Sequence, residues 1–154
     1  MTPAINYAKK EKIKFSLHEY DHDPKCESYG DEAATKLGID SGRVYKTLVV
    51  SLGKELAVAI IPVSQMLDLK LFAKSVKTKK VAMADKKLVE RTTGYVLGGV
   101  SPIGQKKKLR TVIDISAKDF ETIFVSAGKR GLEIELSPLD LLELTSGIFE
   151  KIRK

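Results

Sequence analysis

Tyr45-Lys46-Thr47-Leu48-Val49-Val50-Ser51-Leu52-Gly53-Lys54-Glu55-Leu56-Ala57-Val58-Ala59-Ile60-Ile61-Pro62 is the stretch that decides how this chain folds. Two apolar, β-branched runs flank Gly53-Lys54, the pattern of a hairpin with strands over Tyr45–Val50 and Glu55–Pro62. Period two places Lys46 on the face of Leu48 and Val50, with Tyr45, Thr47 and Val49 on the other. Both faces are apolar, so this strand is expected to be central and largely buried. A lysine on it either snorkels to solvent at the strand end or meets an anionic or carbonyl partner, because an unpaired buried ammonium is costly.

The second informative stretch is Thr93-Gly94-Tyr95-Val96-Leu97-Gly98-Gly99-Val100-Ser101-Pro102-Ile103-Gly104, followed by Gln105-Lys106-Lys107-Lys108. Four glycines in twelve positions are too many for a helix or strand interior, where each costs ~0.5–1 kcal/mol against alanine. Gly98, Gly99 and Gly104 can take positive φ, and Pro102 pushes Ser101 towards an extended conformation. Such a loop brings bare N–H groups close to an anion or a carbonyl oxygen, with three lysines as a positive rim. It reads as a binding loop, with an irregular surface turn as the plainer alternative. The P-loop and nucleophile-elbow motifs both fail here. Gln105 and Lys106 stand where a P-loop needs Lys and Ser or Thr, and Ile103 where the elbow needs glycine.

At 154 residues, 43% hydrophobic and 31% charged, the chain is expected to fold as one globular domain spanning 1–154. No apolar run approaches the ~18 residues of a membrane span, and no signal-peptide core is visible at the amino terminus. The single cysteine, Cys26, excludes an internal disulfide and suits the cytoplasm. The net charge of +7 favours polyanionic partners, nucleic acid first.

Thr2-Pro3 opens a helix expected through about Lys12. Ile13, Phe15 and Leu17 alternate as a strand ending near Tyr20, and Lys25–Gly30 reads as loop. Asp31–Leu37 is a short helix stopped by Gly38. Asp68 and Asp85 cap two more helices, with Val81–Met83 a short strand between them. Thr111–Ile115, Thr122–Ser126 and Leu132–Leu136 are strand candidates, and Ser137-Pro138 begins a last helix that Gly147 should end. This order gives an α+β or α/β domain with sheet pairing undetermined.

Ser126-Ala127-Gly128-Lys129-Arg130-Gly131 is a second basic glycine turn, either a plain hairpin connection or a phosphate contact. His18 and His22 with Cys26 are too few for a catalytic metal, so no metal and no cofactor are expected. No Cys–His or Ser-His-Asp set is visible.

These residues together resemble the YbaK/EbsC family of aminoacyl-tRNA editing proteins, in particular the bacterial YbaK Cys-tRNA(Pro) deacylases. The shared pattern runs from Met1-Thr2-Pro3-Ala4 through Tyr20-Asp21-His22-Asp23-Pro24, Gly30-Asp31-Glu32 and Tyr45-Lys46-Thr47-Leu48. It continues through Met83-Ala84-Asp85, Thr93-Gly94-Tyr95, Gly98 to Lys107 and Gly128-Lys129-Arg130-Gly131. Ala127 departs from it where the family has glycine, and the chain from Asp140 on matches least.

The resemblance implies a mixed β-sheet curled into a partly open barrel with surrounding helices, and hydrolysis of cysteine mischarged onto proline tRNA beside prolyl-tRNA synthetase. It further implies that the substrate's own thiol attacks the ester, which suits a chain without an activated nucleophile. Lys46 and the backbone of Gly99, Val100 and Ser101 would then be catalytic by position and charge. Tyr20, Tyr29, Thr47, Gly98 and Pro102 would bind the aminoacyl end, and Lys106, Lys107, Lys108, Lys129 and Arg130 the tRNA backbone. A deacylase of another specificity, such as Ala-tRNA(Pro) cleaved by water, and a non-catalytic tRNA- or synthetase-binding module are the alternatives.

Overall fold

The computed structural model describes residues 1–26 and 28–154. Glu27, inside the segment read as loop from Lys25 to Gly30, lies outside the described residues. The elements run α1 (Pro3–Lys10), β1 (Phe15–Glu19), α2 (Tyr29–Leu37), β2 (Tyr45–Ser51), β3 (Leu56–Pro62), α3 (Leu69–Ser75) and β4 (Ala82–Met83). They continue with α4 (Lys86–Thr93), β5 (Arg110–Asp114), a 3₁₀ turn (Ile115–Asp119), β6 (Ile123–Lys129), β7 (Leu132–Leu136), α5 (Pro138–Thr145) and β8 (Ile148–Glu150).

The hairpin forms as its pattern requires, with Tyr45 opposite Pro62 and Ser51 opposite Leu56. It nucleates a mixed five-stranded sheet in the order β4-β2-β3-β5-β8, antiparallel at β4-β2-β3 and parallel at β3-β5-β8. A second, antiparallel sheet runs β1-β7-β6. The two meet at one parallel bridge between Val44 and Phe124, and the described strands close no barrel. Every residue of β3 is buried, as its unbroken apolar run demands. One face of the large sheet packs Tyr45, Val58, Ile60 and Ile113 against α1, α5 and the small sheet's Val125 and Ile134. The other packs Ala57, Ala59 and Ile61 against Phe72 and Val76 of the α3 segment. Among the described residues no helix is long and apolar enough to cross a membrane.

Local chemistry explains where the helices start. Thr2, Asp68, Asp85 and Ser137 cap α1, α3, α4 and α5, each accepting from N–H groups of the first turn. Several boundaries differ from the sequence reading. α1 ends at Lys10 rather than Lys12, and β6 runs on to Lys129 through a bulge at Ser126–Lys129, so most of the stretch read as a glycine turn is strand. Ser28, accepting from the Asp31 N–H, starts α2 at Tyr29 rather than Asp31. Ser146, at φ 52°, takes the left-handed position that ends α5, one residue before Gly147.

A buried carboxylate anchors the carboxy-terminal residues, alongside backbone bonds to Asp68 and Met66. Asp114 is fully buried; it accepts from the N–H groups of Ile152 (2.9 Å) and Arg153 (3.2 Å) and pairs with the Arg153 guanidinium at 2.7 Å. Burial alone would raise its pKa, but these hydrogen bonds and those from Ser116 hold it below the usual carboxylate range. Asp114→Ala should therefore cost about 3 kcal/mol, since it leaves several buried donors unpaired. In a chain of this size that is a melting temperature lower by about 6–12 °C, readable by calorimetry.

Candidate active site

β4 pairs only with Val50 and Ser51, so the first half of β2 has no strand on that side. Lys46, Thr47 and Leu48 are half-buried there, less covered than the apolar pattern suggested, because they face a cavity of about 270 Å³. Tyr20 and Tyr29, the β2 residues, and Leu97, Gly98 and Val100 of the glycine loop enclose it. Ser126, Lys129 and Glu133 close it from the small sheet.

Each wall has a physical reason. Lys46 has no carboxylate within 4.0 Å among the described residues. Desolvation pulls its pKa below the ordinary lysine value, opposed by the charge of Asp31. The hydroxyl of Thr47, which also lines the cavity, is buried and has no hydrogen-bond partner among the described residues. A buried hydroxyl left unpaired in a cavity wall costs stability and is kept where a ligand supplies the partner. Burial and the nearby Glu133 push the Tyr20 phenol up to about 12, so it enters as a neutral donor.

The glycine loop is folded around its own backbone. The Gly99 N–H donates to the Val96 carbonyl (2.9 Å), and a Cβ added at Gly99 would stand 3.0 Å from the Lys129 backbone. Its φ is not positive, unlike those of Gly98 (84°) and Gly104 (67°). The N–H groups of Val100 and Ser101 donate to no other described residue. Ser101, named catalytic from sequence, does not line the cavity: it is fully buried, its hydroxyl accepting from the Ile103 N–H and its carbonyl from the Gln105 amide (3.0 Å).

Arg130 ties the mouth together. Its Nε and Nη2 both donate to the Leu97 carbonyl (3.1 and 2.7 Å), and its guanidinium sits 4.7 Å from the centre of the Tyr29 ring. Tyr29 in turn leans on His22, which hydrogen-bonds the buried Glu32 at 2.7 Å. Burial would raise Glu32, yet His22, the Asp23 N–H and Lys36 hold it at about 2. The two histidines thus serve carboxylates, His18 pairing with Glu135 at 2.9 Å.

The site residues read from sequence therefore fall into two groups. Lys46, Thr47, Tyr20, Tyr29, Gly98, Val100 and Lys129 meet at one cavity, with Gly99 and Arg130 in its rim. Pro102 lines a different cleft with α1, and Lys106, Lys107 and Lys108 line surfaces away from Lys46. Ala127 causes no strain: it is buried in the core, and Gly128 carries the positive φ of that turn.

Sequence reading missed Glu133. In β7 it alternates with Leu132 and Ile134, which pattern alone assigns to a solvent face. Instead it is buried in the cavity wall, and desolvation raises its carboxyl to about 8. Between the ordinary 4.5 and about 8 the folded protein holds a proton that the unfolded chain has released. Stability therefore falls as pH rises through that window. The melting temperature of Glu133→Gln should gain on wild type by several degrees between pH 5 and pH 8 and match it near pH 4; a difference independent of pH would contradict this.

Fold and site together define an α/β ligand-binding protein whose pocket sets a strand lysine against a glycine loop. The model of the aminoacyl-tRNA editing domain family matches residues 23–144, and the chain belongs to that family. It is 42% identical over 153 residues, 98% of this chain and 92% of the relative, to the Enterococcus faecalis protein named "Putative Cys-tRNA(Pro)/Cys-tRNA(Cys) deacylase EbsC". An uncharacterised Bacillus subtilis protein, YwhH, is 28% identical over 116 residues, 75% of this chain and 73% of its own. A solved structure described as "a putative trans-editing enzyme for prolyl tRNA synthetase" superposes with TM-score 0.82 at 22% identity, covering 98% of this chain and 92% of that one. At that identity the likeness speaks for the fold.

Proposed function

We propose that the protein deacylates cysteine mischarged onto proline tRNA, acting in trans beside prolyl-tRNA synthetase in the cytoplasm. The observation that carries the reading is a cavity that sets a desolvated lysine and an unpartnered hydroxyl against the glycine loop, with no activated nucleophile among its described lining residues. Among the described residues the one cavity hydroxyl bonded to a carboxylate is Ser28, and that pair with Asp31 is the exposed cap of α2. The name of the Enterococcus relative supports the cysteinyl substrate.

In this reading the chain, 1–154, is one editing unit. Its two sheets form the wall of a partly open barrel with the cavity at the mouth. The terminal adenine stacks on Tyr29, and Lys46 and Thr47 hold the ester region. Glu133, protonated in the empty cavity, meets the α-amino group of the aminoacyl ester and gives up its proton as the two form an ammonium–carboxylate pair. The substrate's sulfur attacks its own carbonyl carbon, and the oxyanion is met by the N–H groups of Val100 and Ser101. The ester C–O bond then breaks, the ribose oxygen leaves with the proton the thiol gave up, and water opens the released thiolactone. Holding thiol and carbonyl in one conformer supplies several kcal/mol of the barrier. Lys129, with the Arg130 Nη1 left over from the Leu97 contact, meets the terminal phosphates, and Lys106, Lys107 and Lys108 meet backbone further along.

The test is deacylation of purified Cys-tRNA(Pro), Cys-tRNA(Cys) and Ala-tRNA(Pro). Cleavage of cysteinyl esters with alanyl ester left intact is expected; preferential loss of alanine would assign the water-using specificity, and no turnover a binding module. N-acetylation of the cysteinyl ester should erase any difference between wild type and Glu133→Gln.

A further inference from the structure

Two clefts sit at the far end of β2 from Lys46, on either side of the hairpin turn, and share Ser51 and Gly53. Five residues separate Lys46 from Ser51, so at ~3.3 Å per strand residue the turn lies about 17 Å away from the cavity's lysine. One cleft is lined by exposed Lys54, Arg91 and Lys106 to Lys108; the other by exposed Lys77, Lys79 and Lys80. Among the described residues, Glu55 is the one acid lining this surface, and it faces Arg110 at 3.7 Å rather than any of these lysines. Among the described residues none of these lysines has a carboxylate within 4.0 Å.

Its lining differs from that of the cavity in a second way. Tyr20, Tyr29 and Tyr45 face the cavity, whereas neither basic cleft has an aromatic side chain. Single-stranded nucleic acid is held by aromatic platforms within a basic groove, while a duplex backbone needs charge alone. We infer that this hairpin-end surface binds the double-helical acceptor stem of the substrate tRNA through its phosphates, separately from the cavity, which receives the single-stranded 3′ end. The inference rests on the tRNA-deacylase reading and adds the part of the tRNA that is held and where.

Lys54→Glu/Lys79→Glu/Lys80→Glu changes only exposed positions outside the cavity, and its melting temperature shows whether it folds. Two substrates are compared: full-length Cys-tRNA(Pro), and the cysteinyl ester of a short single-stranded oligonucleotide ending in CCA. The variant should lose at least about tenfold in kcat/KM on the tRNA and keep its rate on the oligonucleotide. Binding of an uncharged acceptor-stem hairpin, read by gel retardation, should weaken alike, with a salt slope shallower by about two to three. Equal losses on both substrates, or hairpin binding unmoved by the charge reversal, would overturn the inference; the latter would assign the surface to an acidic protein instead. If wild type cleaves neither ester, the deacylase reading fails, and the hairpin measurement still decides this surface.

Discussion

Lys46→Ala should lower kcat/KM for cysteinyl-tRNA by about 10²–10³, the range found when one fixed electrostatic stabiliser is removed from an active site. The fold should survive. Lys46 is half-buried at an open strand flank, makes no ion pair among the described residues, and is already penalised by desolvation. Removing it relieves that penalty, so the melting temperature should hold or rise slightly. Lys46→Arg should recover little, because a planar five-donor fork does not replace a compact ammonium in a cavity of about 270 Å³. Single-turnover rates with matched thermal melts check both statements. An alanine variant of near-normal rate would remove the lysine from the chemistry.

Gly98→Ala should be nearly as damaging, by about 10² in rate, through a different cause. Gly98 has φ 84°, where a side chain costs about 1–2 kcal/mol. A Cβ there would also stand 2.6 Å from Arg130 Nε and 2.6 Å from the Tyr29 ring. Tyr29 or Arg130 must then move, and those two residues, with the Leu97 carbonyl that Arg130 holds, form one side of the cavity. Gly38→Ala is the matched control: its φ is 68°, with nothing within 4 Å of the added carbon. It should lose a similar amount of stability and no activity. If the two variants lose activity equally, backbone strain rather than the clamp is responsible.

Much of the fold was legible because local signals agreed with it. The hairpin's β-branched runs, the capping Asp68 and Asp85 and the proline-opened α1 and α5 all form where their chemistry places them. Sheet order was not legible, since β5 joins β3 in parallel across nearly fifty residues and no local pattern encodes such pairing. The site was legible where it depends on residue type, at Lys46, Thr47 and the glycine loop. It was not where it depends on packing. Glu133 carried no signal in the sequence, and only the packing of the two sheets buries it in the cavity wall beside Tyr20. Arg130 read as a free phosphate contact, although two of its nitrogens bond the Leu97 carbonyl. Lys106 to Lys108 follow the loop in sequence but turn away from its cavity.

The claim that the substrate brings its own nucleophile is tested most directly by single-turnover deacylation of Cys-tRNA(Pro) against Ser-tRNA(Pro). Serine has nearly the size of cysteine and a far less acidic, less nucleophilic hydroxyl. The cysteinyl ester should react faster by at least about 10² with similar binding. Equal rates for the two esters would contradict the thiol mechanism and make a cavity-bound water the nucleophile.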